Sequence, residues 1–218
     1  MPEPLVPQRL LFRFAVPCYQ CDRLWDGEGT GLSARHRLVC LAELEGRQAF
    51  AEVYAGWGEA GLAFKVQVAG KRRSLWCRPG QPEESDGFHL WIDTRDVHNA
   101  HRASRFCHRF AFLPSGLGGL LSAPYAELLE INRAREHPKR VDPRHLGVCT
   151  QLYRDGYVLQ CFIPAKALTG YDPVEHPRLG FTYAVLDREL GEQTFSVGSP
   201  LPYQEDPSLW ATLELTRQ

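Results

Sequence analysis

The sequence predicts an all-β protein, a jelly-roll-like antiparallel β-sandwich, and three observations carry that expectation. Short runs alternate apolar and polar residues with the period of two that places successive side chains on opposite faces of a strand. Clusters of Gly, Pro, Asp and Asn separate those runs. Hydrophobic residues make up 44% of the 218 and charged residues 23%, enough apolar material for a sizeable core in a single unit and too ordinary a balance for a disordered or fibrous chain. One short helix, over about residues 123–137, interrupts the pattern.

The first clear strand is Gln48 to Tyr54, where Ala49, Ala51 and Val53 alternate with Phe50, Glu52 and Tyr54. Gly61 to Val68 follows, with Leu62, Phe64, Val66 and Val68 on one face and Lys65 and Gln67 on the other, closed by a turn at Gly70-Lys71. Beyond a polar loop, Phe88, Leu90 and Ile92 alternate with His89, Trp91 and Asp93, a strand with an apolar face and a mixed polar and aromatic face. Phe106, His108, Phe110 and Phe112 share a face of the next strand, opposite Arg105, Cys107, Arg109 and Ala111. Pro114-Ser115-Gly116 ends it.

The segment Ala123 to His137 reads as a helix, with Pro124 in its first turn and Pro138 as its stop. Val148, Thr150 and Leu152 then lead into Arg154-Asp155-Gly156, a hairpin signal, and Tyr157 to Ile163 returns as the partner strand. Phe181 to Leu186 and Leu209 to Leu215 complete eight or nine strands. With no internal repeat and no low-complexity linker, one domain over residues 1–218 is the simplest organisation.

Lys plus Arg number 25 against 26 Asp plus Glu, a net charge of −1 that offers no general attraction to nucleic acid or anionic lipid. No run approaches the roughly 20 apolar residues that span a bilayer, and the opening Met-Pro-Glu-Pro-Leu-Val-Pro lacks the parts of a signal peptide, so a cytoplasmic location is expected. The seven cysteines are an odd number in a chain too large to need disulfide staples, and most are expected to be reduced core residues. Cys18-x-x-Cys21 is half of a zinc ribbon with no partner pair in the chain.

Six motifs, taken in order, resemble those of the family-nine carbohydrate-binding modules and their DOMON-like relatives. They are Asp22-Arg23-Leu24-Trp25; Ala51 to Trp57 followed by Gly61 to Val66; Ser85 to Asp93, similar to an Asp-Ser-Val-Glu-Ile-Phe-Ile-Asp strand; Asp155 to Pro164; Leu179 to Asp187; and Asp206 to Leu215. The resemblance covers about residues 20–215 and leaves 1–19 as an N-terminal extension. It implies a sandwich that binds a sugar without turning it over. Members that grip a sugar between two tryptophans have them where Glu83 and Gln204 stand here, with Trp76 and Tyr203 as neighbouring aromatics. The family's strand glutamate is His89 here, and its arginine is matched by Arg109. Trp57 and Trp210 match core aromatics of the family and are expected to pack inside.

Sugars are held by aromatic rings against their C–H faces and by Arg, Asp, Asn and His at their hydroxyls. Trp76, His89, Trp91, Asp93, Arg95, Arg109 and Tyr203 are therefore the candidate ligand-binding residues, and the arginines favour an anionic or hydroxyl-rich ligand such as an acidic sugar. The passage from Asp93 to Arg109 is dense in polar residues and suggests an alternative, a metal-dependent enzyme or metal-binding protein using His98, His101 and His108 with Asp93 or Asp96. Four nearby guanidinium groups oppose a dication there. Asp86, Asp93 and Asp96 are candidates for a structural calcium of the kind the resemblance implies. Haem held by Met and His, as in some relatives, is set aside because Met1 is the only methionine. No nucleophile motif or phosphate loop is present, so no catalytic residue is named. A third reading uses the same scaffold only as a protein-interaction domain.

Overall fold

The computed structural model describes residues 14–41, 48–78, 80–116 and 123–217. The strands are β1 (Ala15–Gln20), β2 (Ala51–Gly58), β3 (Gly61–Ala69), β4 (Gly87–Asp93), β5 (Cys107–Leu113), β6 (Tyr125–Leu129), β7 (Gly147–Tyr153), β8 (Gly156–Pro164), β9 (Arg178–Asp187), β10 (Gly191–Thr194) and β11 (Ala211–Thr216). They form one continuous hydrogen-bonded sheet in the order β6-β5-β4-β9-β11-β1-β2-β3-β8-β7, with β10 beside β9. The sheet folds over at β11 and β1 into two layers, and its free edges β6 and β7 come into contact, so the sandwich is nearly a barrel. β1 runs parallel to both β11 and β2, whereas the other pairings are antiparallel. The expected sandwich is present, and that parallel strand is its one departure from an antiparallel scheme.

The inward faces are the ones the alternation indicated. Phe64, Val66 and Val68 of β3, Phe88, Leu90 and Ile92 of β4, Phe110 and Phe112 of β5, and Phe181, Tyr183 and Val185 of β9 meet between the layers. Phe64 stacks on Phe181 at 6.1 Å between ring centroids, and Phe88 lies 5.7 Å from Tyr183. Two glycines allow the close approach of neighbouring strands. A Cβ on Gly61 (φ +141) would lie 2.1 Å from the Ile163 carbonyl of β8, and one on Gly156 would lie 1.9 Å from the Val68 carbonyl. Trp57 and Trp210 are both buried, with their indole N–H groups donated to Thr216 and Tyr203 carbonyls. The seven cysteines are all free thiols, four of them buried. Among the described residues no helix is long and apolar enough to cross a membrane.

The helix expected over 123–137 is absent. Residues 125–129 instead form β6, which pairs antiparallel with β5 in the register Arg109↔Leu129, Ala111↔Glu127 and Leu113↔Tyr125. Ala126 and Leu128 turn into the core, while Tyr125, Glu127 and Leu129 face the other way. The same five residues satisfy a helical pattern as well as a strand pattern, and hydrogen bonding to the otherwise open edge of β5 decides between them. Residues 131–137 are turns and bends that lay Ile131 and Ala134 over a second apolar cluster.

Candidate functional site

Because β4 sends Phe88, Leu90 and Ile92 inward, His89, Trp91 and Asp93 face outward, and the register places Trp91 opposite Arg109 and His89 opposite Ala111. On the other flank Thr182 and Ala184 of β9 pair with Trp91 and His89. This outer face is not bare. Trp91, Cys107, Ala184, Tyr203 and Trp210 form a small second core, roofed by the segments around Ala103, Ile131 and Val197. Trp91 is 1% exposed, donates its indole N–H to the Gln204 carbonyl at 3.1 Å and meets Tyr203 edge-on at 5.3 Å. Tyr203 in turn donates to Glu192 at 2.6 Å.

Against this cluster lie two incompletely satisfied polar side chains. Arg109 is 7% exposed with its guanidinium 5.2 Å from the Trp91 ring, and its nearest carboxylate oxygen is that of Glu83 at 3.9 Å, beyond a hydrogen bond. Its Nε has no partner. Burial pulls the guanidinium below its ordinary value, and the Glu83 charge only partly opposes that. His89 is completely buried, and neither ring nitrogen has a hydrogen-bond partner. The Pro82 carbonyl acts on the ring without meeting hydrogen-bond geometry, and burial together with the Arg109 charge holds the imidazole down at about 3, so it is neutral.

A pocket of about 230 Å³ opens beside these residues, lined by Arg78, Pro82, Glu83, Tyr125, Glu127 and Leu129 among others. It lies between the outward face of β6 and the Pro82–Glu84 turn of the loop before β4. The volume suits one small polar molecule and falls below the roughly 300–1,000 Å³ of drug-sized sites. Burial raises the Glu127 carboxyl, and the neighbouring Glu83 raises it further against the lowering effect of Tyr125.

Of the predicted ligand residues, His89, Trp91, Arg109 and Tyr203 converge. Asp93 shares their face but accepts from the Arg95 amide at 3.0 Å and the Val97 amide at 2.8 Å, which fastens the turn after β4. Arg95 points away from the cluster, donating to the Gly170 and Thr94 carbonyls and lying over Phe106 at 4.3 Å, so it is a positional anchor for that turn and not a ligand group. Trp76 is 42% exposed and carries the Arg188 guanidinium 3.9 Å from its ring, away from the buried cluster. Glu127 and Tyr125 are not among the residues that the sequence singles out, because their segment fits a helical pattern. The alternation of Ala126 and Leu128 against Tyr125, Glu127 and Leu129 was the available signal.

The expected metal site is not assembled. His98 bonds Asp96 at 2.9 Å and Thr212 at 3.1 Å, His101 bonds Asp206 at 3.0 Å, and His108 lies in the main core, where its Nε2 accepts from the Thr169 amide at 2.8 Å. Burial holds His108 down at about 4, consistent with a neutral acceptor. The three rings sit on different elements with different partners, because a strand alternates its faces and the loop before it turns outward. Asp86 is likewise committed, to Lys71 at 3.0 Å and the Arg188 amide at 2.8 Å, so it does not join Asp93 and Asp96 around a cation. Among the described residues no group of three His, Cys, Asp or Glu side chains has an arrangement able to hold a metal ion.

Several solved structures share the fold. A family-nine carbohydrate-binding module from Caldicellulosiruptor kristjanssonii, solved with cellotriose, is similar over 94% of this chain and 95% of its own, with a TM-score of 0.62 and 14% sequence identity. The same kind of module from that organism, solved with glucose, gives a TM-score of 0.61 at 14% identity over 94% and 97% of the two chains. A candidate carbohydrate-binding protein from Bacteroides uniformis gives 0.58 at 12% identity, covering 94% of this chain and all of that one, 100%. No protein-family model matches the sequence, and no curated protein is similar enough to match. At these identities the likeness establishes the family-nine-like fold.

Proposed function

We propose that this β-sandwich is a non-catalytic carbohydrate-binding domain and that its ligand sits where β4, β5 and β6 meet the Pro82–Glu84 turn. The observation that carries the reading is the pocket of about 230 Å³ bordered by Tyr125, Glu127 and Glu83, with Arg109 3.9 Å from Glu83 and His89 under the influence of Arg109 and the pocket-lining Pro82. Carboxylates and a phenol at the rim can take sugar hydroxyls, and Tyr125 and Leu129 supply surface for C–H faces. Solved family-nine-like structures at similar TM-scores hold cellotriose and glucose, which supports a saccharide as the occupant. A fold alone does not determine a ligand, so the reading stands on the site.

The test is calorimetric titration of neutral and acidic oligosaccharides into the protein, with Glu127→Gln and Tyr125→Ala as rim variants. Heat with at least one sugar, weakened by both substitutions, is expected. No heat with any member of the panel overturns the reading.

A further inference from the structure

An arginine that is 7% exposed normally has its guanidinium fully engaged, because leaving a buried charged group unmet is strongly unfavourable. Among the described residues Arg109 makes no hydrogen bond through Nε, and its nearest counter-charge is 3.9 Å away on a glutamate that is half exposed. Diagonally across the same face, His89 leaves both ring nitrogens unpaired. Other buried polar atoms without partners, His108 Nδ1, Thr150 Oγ1 and the Tyr157 hydroxyl, stand singly, whereas Arg109 and His89 lie side by side on the one outer face, as on a recognition surface whose partner is missing.

What covers them is local and separable. The Pro82–Glu84 turn belongs to a loop closed on itself at its base, where the Trp76 amide donates to Asp86 Oδ2 and the Asp86 amide donates to the Trp76 carbonyl. Within the loop Ser85 Oγ donates to the Gln81 carbonyl at 3.0 Å and accepts from the Arg78 amide at 2.8 Å. These bonds tie the described residues of the loop to one another and not to the strands of the sheet, so displacing the Pro82–Glu84 tip need not break the pairing of β4. Among the described residues the long Glu83 to Arg109 contact is the one ion pair between that tip and the face beneath it, where the Pro82 carbonyl also acts on the His89 ring.

We infer that Glu83 stands in for a ligand carboxylate over Arg109, and that the site takes a uronic-acid sugar whose carboxylate displaces Glu83 while a ring hydroxyl bonds His89. A carboxylate is the group a guanidinium fork pairs with best. A hydroxyl, which both donates and accepts, is the group a neutral imidazole pairs with on either nitrogen. Displacement of Glu83 also removes one of the two carboxylates that would otherwise repel such a sugar, and burial raises the Glu127 carboxyl that remains. This inference rests on the saccharide reading of the same site and adds its charge class.

The experiment has two arms. In the first, methyl glucuronide and methyl glucoside are titrated into the wild type, Glu83→Gln and Arg109→Met. Glucuronide is expected to bind more tightly than glucoside to the wild type. Glu83→Gln is expected to gain roughly tenfold for glucuronide, more than for glucoside, and Arg109→Met to lose the distinction. Glucoside bound as well as or better than glucuronide, or no gain in Glu83→Gln, overturns the inference and leaves the saccharide reading standing. No heat with either glycoside or with the wider panel removes both. In the second arm, without ligand, diethylpyrocarbonate modification of His89 is followed by peptide mass spectrometry in the wild type and Glu83→Ala. Faster modification of His89 in the variant, with His108 in the main core still protected, is expected. Equal protection of His89 in both proteins overturns the removable cover.

Discussion

Lys71 Nζ lies 3.0 Å from the Asp86 carboxylate in the interior and also donates to Asp187, so one ammonium joins the loop after β3 to the start of β4 and the end of β9. Burial alone would lower this ammonium; the hydrogen bonds and charges of Asp187 and Asp86 outweigh it and raise it. The remaining carboxylate oxygens accept amides of Arg188, Glu189 and Leu190, so the network is satisfied throughout. It also fixes the base of the loop that carries Glu83. Removing the cation alone would leave two buried carboxylates opposed. Lys71→Met is therefore expected to destabilise the fold by about 3–5 kcal/mol, read as a lower urea midpoint.

Tyr157 has the reverse character. Its hydroxyl is fully buried beside that network and has no hydrogen-bond partner. Tyr157→Phe removes an unmet polar group while keeping the ring, and is expected to be neutral or to stabilise by up to about 1 kcal/mol. A loss of more than that in urea unfolding would show that the hydroxyl is engaged in solution.

The two buried imidazoles make stability depend on acid. His89 and His108 titrate at about 3 and about 4 in the folded protein, below the unfolded value of 6.5. Above 6.5 both states are neutral and the full stability is present. As pH falls below 6.5 the unfolded chain takes up protons that the folded chain does not, and stability declines until the folded values are reached. The expected slope is up to ~1.4 kcal/mol per pH unit for each histidine between about 6 and 4. Urea midpoints measured across that range should flatten in part in His89→Phe.

Gly61 carries β3 against β8 at φ +141, with the Ile163 carbonyl where a Cβ would be. Gly61→Ala combines a disfavoured backbone with a clash against main chain. A loss of about 2 kcal/mol or more is expected in thermal or urea unfolding.

Trp76 is the residue at which packing and binding separate. Its ring is partly exposed with the Arg188 guanidinium over it, so Trp76→Ala is expected to change stability by no more than ~1 kcal/mol. Any larger fall in saccharide affinity for that variant, measured by calorimetry, would place Trp76 at the rim of the bound sugar.

The strand faces were legible because a period of two is a local property. Phe88, Leu90 and Ile92 against His89, Trp91 and Asp93 announce which side packs, and the ordered motifs announce the sandwich. The segment 125–129 was not legible, since its residues satisfy a helix or a strand equally and the open edge of β5 decides. The separation of the three histidines was not legible either. Closeness in sequence of His98, His101 and His108 says nothing of the separate partners that the loop and strand give them.

The sequence by itself determined which residues could pack and which could recognise a polar ligand, because composition and alternation set the faces of each strand. The tertiary structure alone decided that Glu83, from a loop before β4, comes within 3.9 Å of Arg109 of β5 and shares a pocket with Glu127 of β6. That meeting depends on strand pairing and loop closure between segments far apart in the chain, and on a burial that leaves His89 neutral and unpaired, neither of which local sequence encodes.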